Sequence, residues 1–397
     1  MTKSVAVLGA GIMGIATALQ MARRGAKVCL FDQQSTLING ASRWNEGKIH
    51  LGYLYAGDQS GNSARAMLAA GLAFRPLIED LIATSLAGHV TQHSDTYIVH
   101  PDSVVPPTAV AAHFAHVDDM ISDQNTSGSL GAQHPTRRLS RSTLDQLSGG
   151  HGLDGFEVPE YSIDTQWLAD RLTDAVEATQ NIELILGARV DRATPTTSGM
   201  LGPWTVHTSD QISHGPFDVV VNALWEGRPV LDLALGLPVA EEGLHRFRKS
   251  LFVTTKHPCD VPSRVFVVGP FGDLKNYDGT RFYVSWYPAG LLAQGEGIAP
   301  PSVEHDRSDQ DIIDQTRTQI ERLAPDIAQV FQSASNIKVE GGWVYAQGRG
   351  RLDQASASIH RRDKYGIVQT GDYISVDTGK YSVAPFMAHR IATMITP

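Results

Sequence analysis

Residues 4–14 read Ser4-Val5-Ala6-Val7-Leu8-Gly9-Ala10-Gly11-Ile12-Met13-Gly14. The first five form a short apolar run rich in β-branched residues, which predicts a strand buried in a parallel sheet. The remaining six make a complete G-x-G-x-x-G. Beyond it, Ile15 to Arg24 carries apolar residues at helical spacing and stops at Gly25, a residue suited to end a helix. Lys27 to Phe31 then reads as a second strand that ends at Asp32. Gly9 permits the tight turn, Gly11 lets the backbone approach a pyrophosphate, and Gly14 allows close helix–strand packing. The free N–H groups and partial positive charge at the helix start are suited to phosphates. Asp32 lies eighteen residues beyond Gly14, where a carboxylate accepts hydrogen bonds from a ribose. Strand, turn, helix, second strand and terminal acid together predict a dinucleotide-binding unit. They do not separate FAD from NAD.

Around this unit stands a chain of 397 residues, long enough for two domains. Its 42% hydrophobic and 19% charged residues leave ample material for a core and no signature of disorder. A net charge of −9 disfavours nucleic acid, whose binding needs clustered cations, and equally disfavours anionic lipid. Cys29 and Cys259 are the only cysteines, too few for a disulfide framework, which predicts a reducing, cytoplasmic setting. No apolar stretch has the length of a spanning helix, and the N-terminus lacks the pattern of a secretion signal, so no membrane insertion is expected.

After Asp32 a simple nicotinamide dehydrogenase continues with another helix–strand unit. Here residues 41–55 instead read Ala41-Ser42-Arg43-Trp44-Asn45-Glu46-Gly47-Lys48-Ile49-His50-Leu51-Gly52-Tyr53-Leu54-Tyr55, a polar, glycine-containing segment predicted to be extended. This stretch resembles the FAD-dependent D-amino-acid-oxidase superfamily, which includes glycine oxidase, sarcosine oxidase, glycerol-3-phosphate dehydrogenase and L-2-hydroxyglutarate oxidase. The spacing around Ile49-His50-Leu51-Gly52 is most similar to the last two. Pro159 to Asp164 with a following amphipathic helix to Ala178 resembles the family's re-entry into its FAD domain. Ile182 to Val190, Phe217 to Ala223, and Gly371 through Tyr381 with a helix to Ile395 resemble three further family elements. A departure is Trp225-Glu226-Gly227, where the family commonly has a single glycine.

The resemblance implies an α/β protein: a Rossmann-like FAD-binding domain at 1–85, 160–235 and 340–397, with an antiparallel-sheet substrate domain at 86–159 and 236–339. It implies FAD contacts from Gly9, Gly11, Ile12, Met13, Gly14, Asp32 and Gln33. Others come from Ser42, Arg43, Asn45, Gly47, Lys48 and Ile49, with Val190 near the adenine half, Asn222, Ala223, and finally Gly379, Lys380 and Tyr381. Neither cysteine lies in the C-terminal flavin-contact region, and Asn45 stands where some relatives carry a flavin-linking histidine, so the FAD is expected to be non-covalent. Within the substrate domain, Ser122 to Gly152 reads as an exposed, mobile insertion. Strands are expected at Leu251–Thr255, Val265–Val268 and Arg281–Trp286, and one helix from Asp309 to Gln332.

The protein's part in flavin chemistry is to hold the substrate C–H over the ring and to help remove a proton. His50 suits a general base, or is a structural histidine bonded to backbone or FAD. Arg349, in the turn Gln347-Gly348-Arg349-Gly350-Arg351, matches the family's carboxylate- or phosphate-binding arginine, with Arg351 as the alternate. Gly350 replaces the family's proline, and pairing of arginine with Asp353 is the competing reading. On Arg281–Trp286 either Arg281, Tyr283 and Ser285 or Phe282, Val284 and Trp286 face the pocket, and Tyr283 is the candidate to wall off the flavin. Lys48 and Lys380 are candidates to assist oxygen reduction. The expected activity is hydride transfer from a small amine or hydroxy acid bearing an anionic group to flavin, with oxygen or an electron carrier as acceptor. Two alternatives are an aromatic-hydroxylase-type monooxygenase, suggested by Gly371-Asp372, and a non-catalytic dinucleotide-binding protein.

Overall fold

The parallel strand pairing that the first residues demand is completed by segments far away in the chain. The computed structural model describes residues 2–197, 199–240, 242–303 and 307–396. Strand β1 (Ser4–Leu8) pairs in parallel with β2 (Lys27–Asp32) and with β10 (Val219–Asn222). The six-stranded sheet runs β17 (Gly366–Thr370), β18 (Tyr373–Asp377), β10, β1, β2, β6 (Ile182–Leu186), parallel except at β17. Alternation along β1 explains its two faces. Val5 and Val7 pack with helices α1 (Ile12–Arg23), α2 (Asn62–Ile82), α5 (Thr165–Glu177) and α10 (Ala384–Ile395), whereas Ala6 and Leu8 meet a three-stranded sheet. That sheet is β7 (Val190–Pro195), β8 (Trp204–Thr208) and β9 (Ser213–Phe217).

A second, nine-stranded sheet carries β15 (Leu291–Glu296), β11 (Gly243–Thr255), β14 (Arg281–Trp286), β13 (Gly272–Asn276) and β12 (Arg264–Val267). It continues through β3 (Asp95–Val99), β5 (Asp154–Val158) and β4 (Arg137–Arg138), and β16 (Ala334–Gln347) lies along the other edge of β11. Leu251, Val253, Phe282 and Val284 turn one face toward helices α8 (Asp309–Leu323) and α9 (Ala328–Ser333). The opposite face carries Phe252 and Tyr283, directly paired across β11 and β14. The mixed α/β architecture with one Rossmann-type sheet and one largely antiparallel sheet agrees with the sequence.

Several local expectations change. Helix α1 starts at Ile12 rather than Ile15, with Gly11 as its extended N-cap. The helix expected over 309–332 splits into α8 and α9, because Pro325 has no N–H to continue it. Val190 does not end the strand that begins at Ile182; β6 stops at Leu186, Gly187 turns at φ +72°, and Val190 opens β7 in another sheet. Residues 122–152 are not a bare exposed insertion. They hold helix α4 (Arg141–Ser148), capped by Ser140 through the Thr143 N–H, and bury Ser129 and Leu144. The boundary expected at residue 340 cuts through β16, which lies wholly in the second sheet. The segment 41–55 is a series of turns with one bridge at Lys48 and a 3-10 turn at Tyr53–Tyr55, not an extended strand. Among the described residues, no helix is long and apolar enough to cross a membrane.

A Cβ at Gly14 would stand 1.7 Å from the Gly9 carbonyl oxygen. Gly14→Ala is therefore expected to lower stability by about 1–3 kcal/mol, the usual range for overpacking, and to lose bound dinucleotide. Urea unfolding and visible absorbance of the purified variant check both.

Candidate active site

The Gly9–Gly14 turn sits at the carboxyl end of β1. Gly9 adopts φ +97°, and a side chain there would press on the Ala223 carbonyl at 2.7 Å. Gly11, the N-cap of helix α1, has no side chain to cap it, and the first turn holds no acid. Ser42 Oγ accepts the Ile12 N–H at 3.1 Å. Among the described residues no protein group accepts from the N–H of Gly11, Met13 or Gly14. Free amides at a positive helix end fit a diphosphate. Asp32 accepts from the Ala10 N–H at 2.7 Å and the Gln34 N–H at 2.8 Å, so it braces the turn while keeping lone pairs for a ribose. Glu226, pushed up to about 7 by burial with Asp32 close by, stands at the same end.

From Ser42 the chain runs to the second sheet. Asn45 donates to the Ala41 carbonyl and accepts the Gly47 N–H, both at 2.8 Å, so its side chain shapes the loop. Gly47, at φ +66°, packs so tightly that a Cβ would meet the Ile163 carbonyl at 1.9 Å. The Ile49 N–H donates to Tyr161 at 2.9 Å, and the Ile49 side chain enters the helix-side core. Lys48 is buried and ion-paired with Asp95, with Glu160 at 3.7 Å. Lys275 from β13 donates to both Asp95 oxygens at 2.7 Å. Tyr97 donates to Glu160 at 2.5 Å, and Glu160 also accepts the Leu51 N–H at 2.7 Å. Burial pushes Lys275 down to about 8, with Asp95 opposing, whereas Asp95 and Glu160 raise Lys48 against its burial.

Beside this cluster lies a group of cationic side chains around His50 and Tyr287. His50 is buried, and its Nδ1 and the hydroxyl of neighbouring Tyr55 have no hydrogen-bond partner among the described residues. Burial holds the His50 imidazole well below its ordinary range, reinforced by Lys380, Lys48, Lys275 and Arg362. Burial and these cations favour its neutral form. Arg246 and Arg248 alternate along β11. Arg246, only 3% exposed, donates to the Tyr287 hydroxyl at 2.9 Å, and the Arg248 guanidinium lies 4.2 Å from the Tyr287 ring centroid. The Nε atoms of both are buried and unpartnered. Arg362 and Lys380 face them from the C-terminal segment. Burial pushes Lys380 down to about 7, with Arg362, Arg246 and Arg248 adding to it and Glu46 opposing. Tyr283 on β14 is bonded to Ser250 at 2.9 Å and lies near Arg248.

The sequence-predicted residues thus separate. Gly9, Gly11, Ile12, Met13, Gly14, Asp32, Ser42 and Ala223 converge on the dinucleotide turn; Lys48, His50, Tyr283, Lys380 and the adjoining Gly379 and Tyr381 gather near the cationic group. Arg281, Tyr283 and Ser285 face inward, and Phe282, Val284 and Trp286 pack into the second-sheet core. Arg349 and Arg351 lie outside that group. Their side chains are 54% and 68% exposed, Arg349 near Glu242 and Glu296, Arg351 paired with Asp353 at 2.7 Å. Gly350 at φ +89° supports a surface turn that carries both outward. The Asn222 side chain is used up by Tyr373, Asp232 and the Arg228 carbonyl. Arg43 pairs with Asp170, Gln33 is exposed, and Val190 packs with the Phe31 cluster. Asp372, the monooxygenase signal, accepts the Gly202 N–H at 3.0 Å in the three-stranded layer rather than joining the cationic group. Arg246, Arg248, Arg362 and Lys275 were missed; the i, i+2 spacing of the two β11 arginines was the available signal.

Residues 4–353 match the DAO family, described as FAD dependent oxidoreductase. Glycine oxidase from Geobacillus kaustophilus superposes with TM-score 0.70 at 15% identity, covering 99% of this chain and 95% of that one. L-alpha-glycerophosphate oxidase from Mycoplasma pneumoniae gives TM-score 0.62 at 15% identity, covering 100% and 95%. L-proline dehydrogenase from P. horikoshii gives 0.66 at 11% identity, covering 100% and 92%. No curated protein sequence matches this chain significantly.

Removing the central carboxylate of the buried cluster leaves two lysines with only Glu160 to balance them. Asp95→Asn is expected to cost about 3–5 kcal/mol in urea unfolding, whereas Arg351→Ala, at the surface, stays within about 0.5 kcal/mol.

Proposed function

The chain belongs to the DAO family of FAD-dependent oxidoreductases, and on that premise we propose that it oxidises a small amine or hydroxy acid carrying an anionic group. The observation that carries this reading is the pair Arg246 and Arg248 on β11, Arg246 buried and the Nε atoms of both buried with no hydrogen-bond partner among the described residues. A guanidinium recognises a carboxylate or phosphate through two parallel hydrogen bonds, which fixes orientation as well as position. Glycine, L-proline and glycerophosphate, named in the three similar structures, each carry such a group.

FAD, when bound, supplies the hydride acceptor. Gly11, Met13, Gly14, Asp32 and Ser42 would hold its nucleotide half non-covalently, and the 45–50 loop with Gly379, Lys380 and Tyr381 its ring. The arginines would seat the substrate anion and so set the C–H toward the ring. His50, neutral, would accept the substrate N–H or O–H proton. Lys380 and Arg362 are among the cations that depress its basicity, so an anion held beside those two would strengthen the base. Electrons leave to oxygen or an electron carrier. The division into a FAD domain around the parallel sheet and a substrate domain around the nine-stranded sheet belongs to the same proposal, as does a reducing, cytoplasmic setting for the two buried free thiols.

The purified protein is expected to be yellow and to release FAD on acid treatment. His50→Asn should keep its colour and slow anaerobic flavin reduction by about two to four orders of magnitude; unchanged kinetics would remove His50 from the reaction. A further expectation concerns pH. Lys380, with its pKa near 7, attracts anions only when protonated. Affinity for a non-oxidisable carboxylate, read from the flavin spectrum, should fall as pH rises above about 7, and Lys380→Met should flatten that fall.

A further inference from the structure

In the turn Trp225-Glu226-Gly227, where this chain departs from its family, Trp225 adopts φ +54°. A bulky side chain rarely takes that conformation, and it persists only where the surroundings impose it. On one side the turn is continuous with the dinucleotide site. A Cβ at Gly9 would stand 2.7 Å from the Ala223 carbonyl oxygen and 3.3 Å from Leu224 Cα. On the other side the Trp225 indole N–H donates to the Trp343 carbonyl of β16 at 2.8 Å. The indole also meets the ring of Tyr345, 1% exposed, edge-on with centroids 6.3 Å apart. β16 touches the dinucleotide site a second time at the neighbouring residue. A Cβ at Gly342 would stand 2.6 Å from Ala41 Cα, and the next residue, Ser42, accepts the Ile12 N–H at the start of α1.

The same three residues of β16 pair with the arginine stretch of β11. Gly342 stands opposite Arg248, Trp343 opposite Phe247 and Val344 opposite Arg246. The Trp343 and Phe247 rings lie 5.3 Å apart at 62°. Among the described residues β16 pairs with β11 alone, so Trp225 and Ala41 hold the side of β16 that faces the dinucleotide turn. We propose that Trp225 is a positioning residue. It ties the arginine stretch of β11, through β16, to the turn that would hold the FAD phosphates, and so sets where a substrate anion lies relative to the flavin. This rests on the oxidoreductase reading above and adds the side chain that aligns its two parts. A misplacement of about 1 Å in such an alignment slows a reaction about 100-fold.

The test uses FAD-loaded protein and two variants. Trp225→Gly removes the indole and leaves a residue that takes a positive φ freely, so the turn keeps its path. Trp225→Phe keeps a ring but has no N–H to donate. Acetate affinity is read from perturbation of the flavin spectrum, and amide hydrogen exchange is followed on peptides carrying β1 with α1, β11, and β16. Trp225→Gly is expected to keep its FAD content, to bind acetate about 10-fold more weakly, and to exchange faster in β11 and β16 but not in β1 and α1. Trp225→Phe should fall between that variant and the wild type. Acetate bound by Trp225→Gly within about twofold of wild type overturns the proposal. So does unchanged exchange in the two strands, and so does faster exchange throughout the chain with loss of FAD, the mark of a general structural role. The parent reading fails separately. Wild-type protein that binds no acetate sinks the anion seat, and exchange then decides for Trp225: acceleration confined to β11 and β16 upholds the tie, and any other pattern removes it.

Discussion

Asp95 lies with 0% exposure between two buried lysines, and much of the molecule is arranged so that it can. Lys48 arrives from the loop that leaves the dinucleotide turn, Lys275 from the middle of the nine-stranded sheet, and Asp95 itself from the edge of β3. Glu160, at the point where the chain re-enters the first sheet, completes a set of two cations and two anions. Each charge alone in that interior would be costly. Together they are satisfied only when the loop and the second sheet stand in one relation. The cluster therefore acts less as a source of net stability than as a register for the two halves of the protein, the role in which buried ionic groups are best attested.

That register determines the electrostatics next door. With Asp95 and Glu160 spent on the lysines, Arg246, Arg248, Arg362 and Lys380 make no ion pair among the described residues, and Glu46, Asp273 and Asp377 are the acids near them. His50 pays for this arrangement in basicity, since burial and the surrounding cations all favour its neutral form. A site so polarised is poorly suited to neutral or cationic ligands and well suited to anions. The chain as a whole is acidic, so the attraction is local and short in range.

What the sequence displayed and what it hid follow from the range of the forces involved. The Gly9–Gly14 turn, helix α1 and Asp32 were legible because glycine conformation, capping and helix packing act within thirty residues. The re-entry at Asp164 was legible for the same reason, since its carboxylate caps α5 through the N–H groups of Gln166 and Trp167. Arg349 misled because a turn shows its own shape but not the direction in which the fold presents it. Two positive-φ glycines, Gly348 and Gly350, make the turn, and acids on its outside hold Arg349 away from the cationic group. Arg246 and Arg248 stayed hidden for the opposite reason. They look like charged residues ahead of an apolar strand, and only pairing with β15 and β16 shows that the strand has already begun at Gly243. Lys48 was read as a neighbour of the cofactor, and its ammonium also pairs with Asp95, a partner forty-seven residues away that no local pattern reveals.

The strand order of the parallel sheet also sets a timetable for a chain made from its N-terminus. β1, α1 and β2 can assemble as soon as the first thirty-two residues are available, but β1's other neighbour is supplied by residue 219 onward, and β18 by residue 373. The nucleotide-binding turn thus exists in outline for most of the protein's synthesis while its sheet lacks half its strands. Arg246, Arg248, Arg362 and Lys380 all follow β10 in the chain. Non-local pairing of this kind is slow and leaves strand edges uncovered in the interim. A nascent chain that has passed β2 but not yet reached β11 holds the residues of the dinucleotide turn and none of the arginines proposed to seat a substrate.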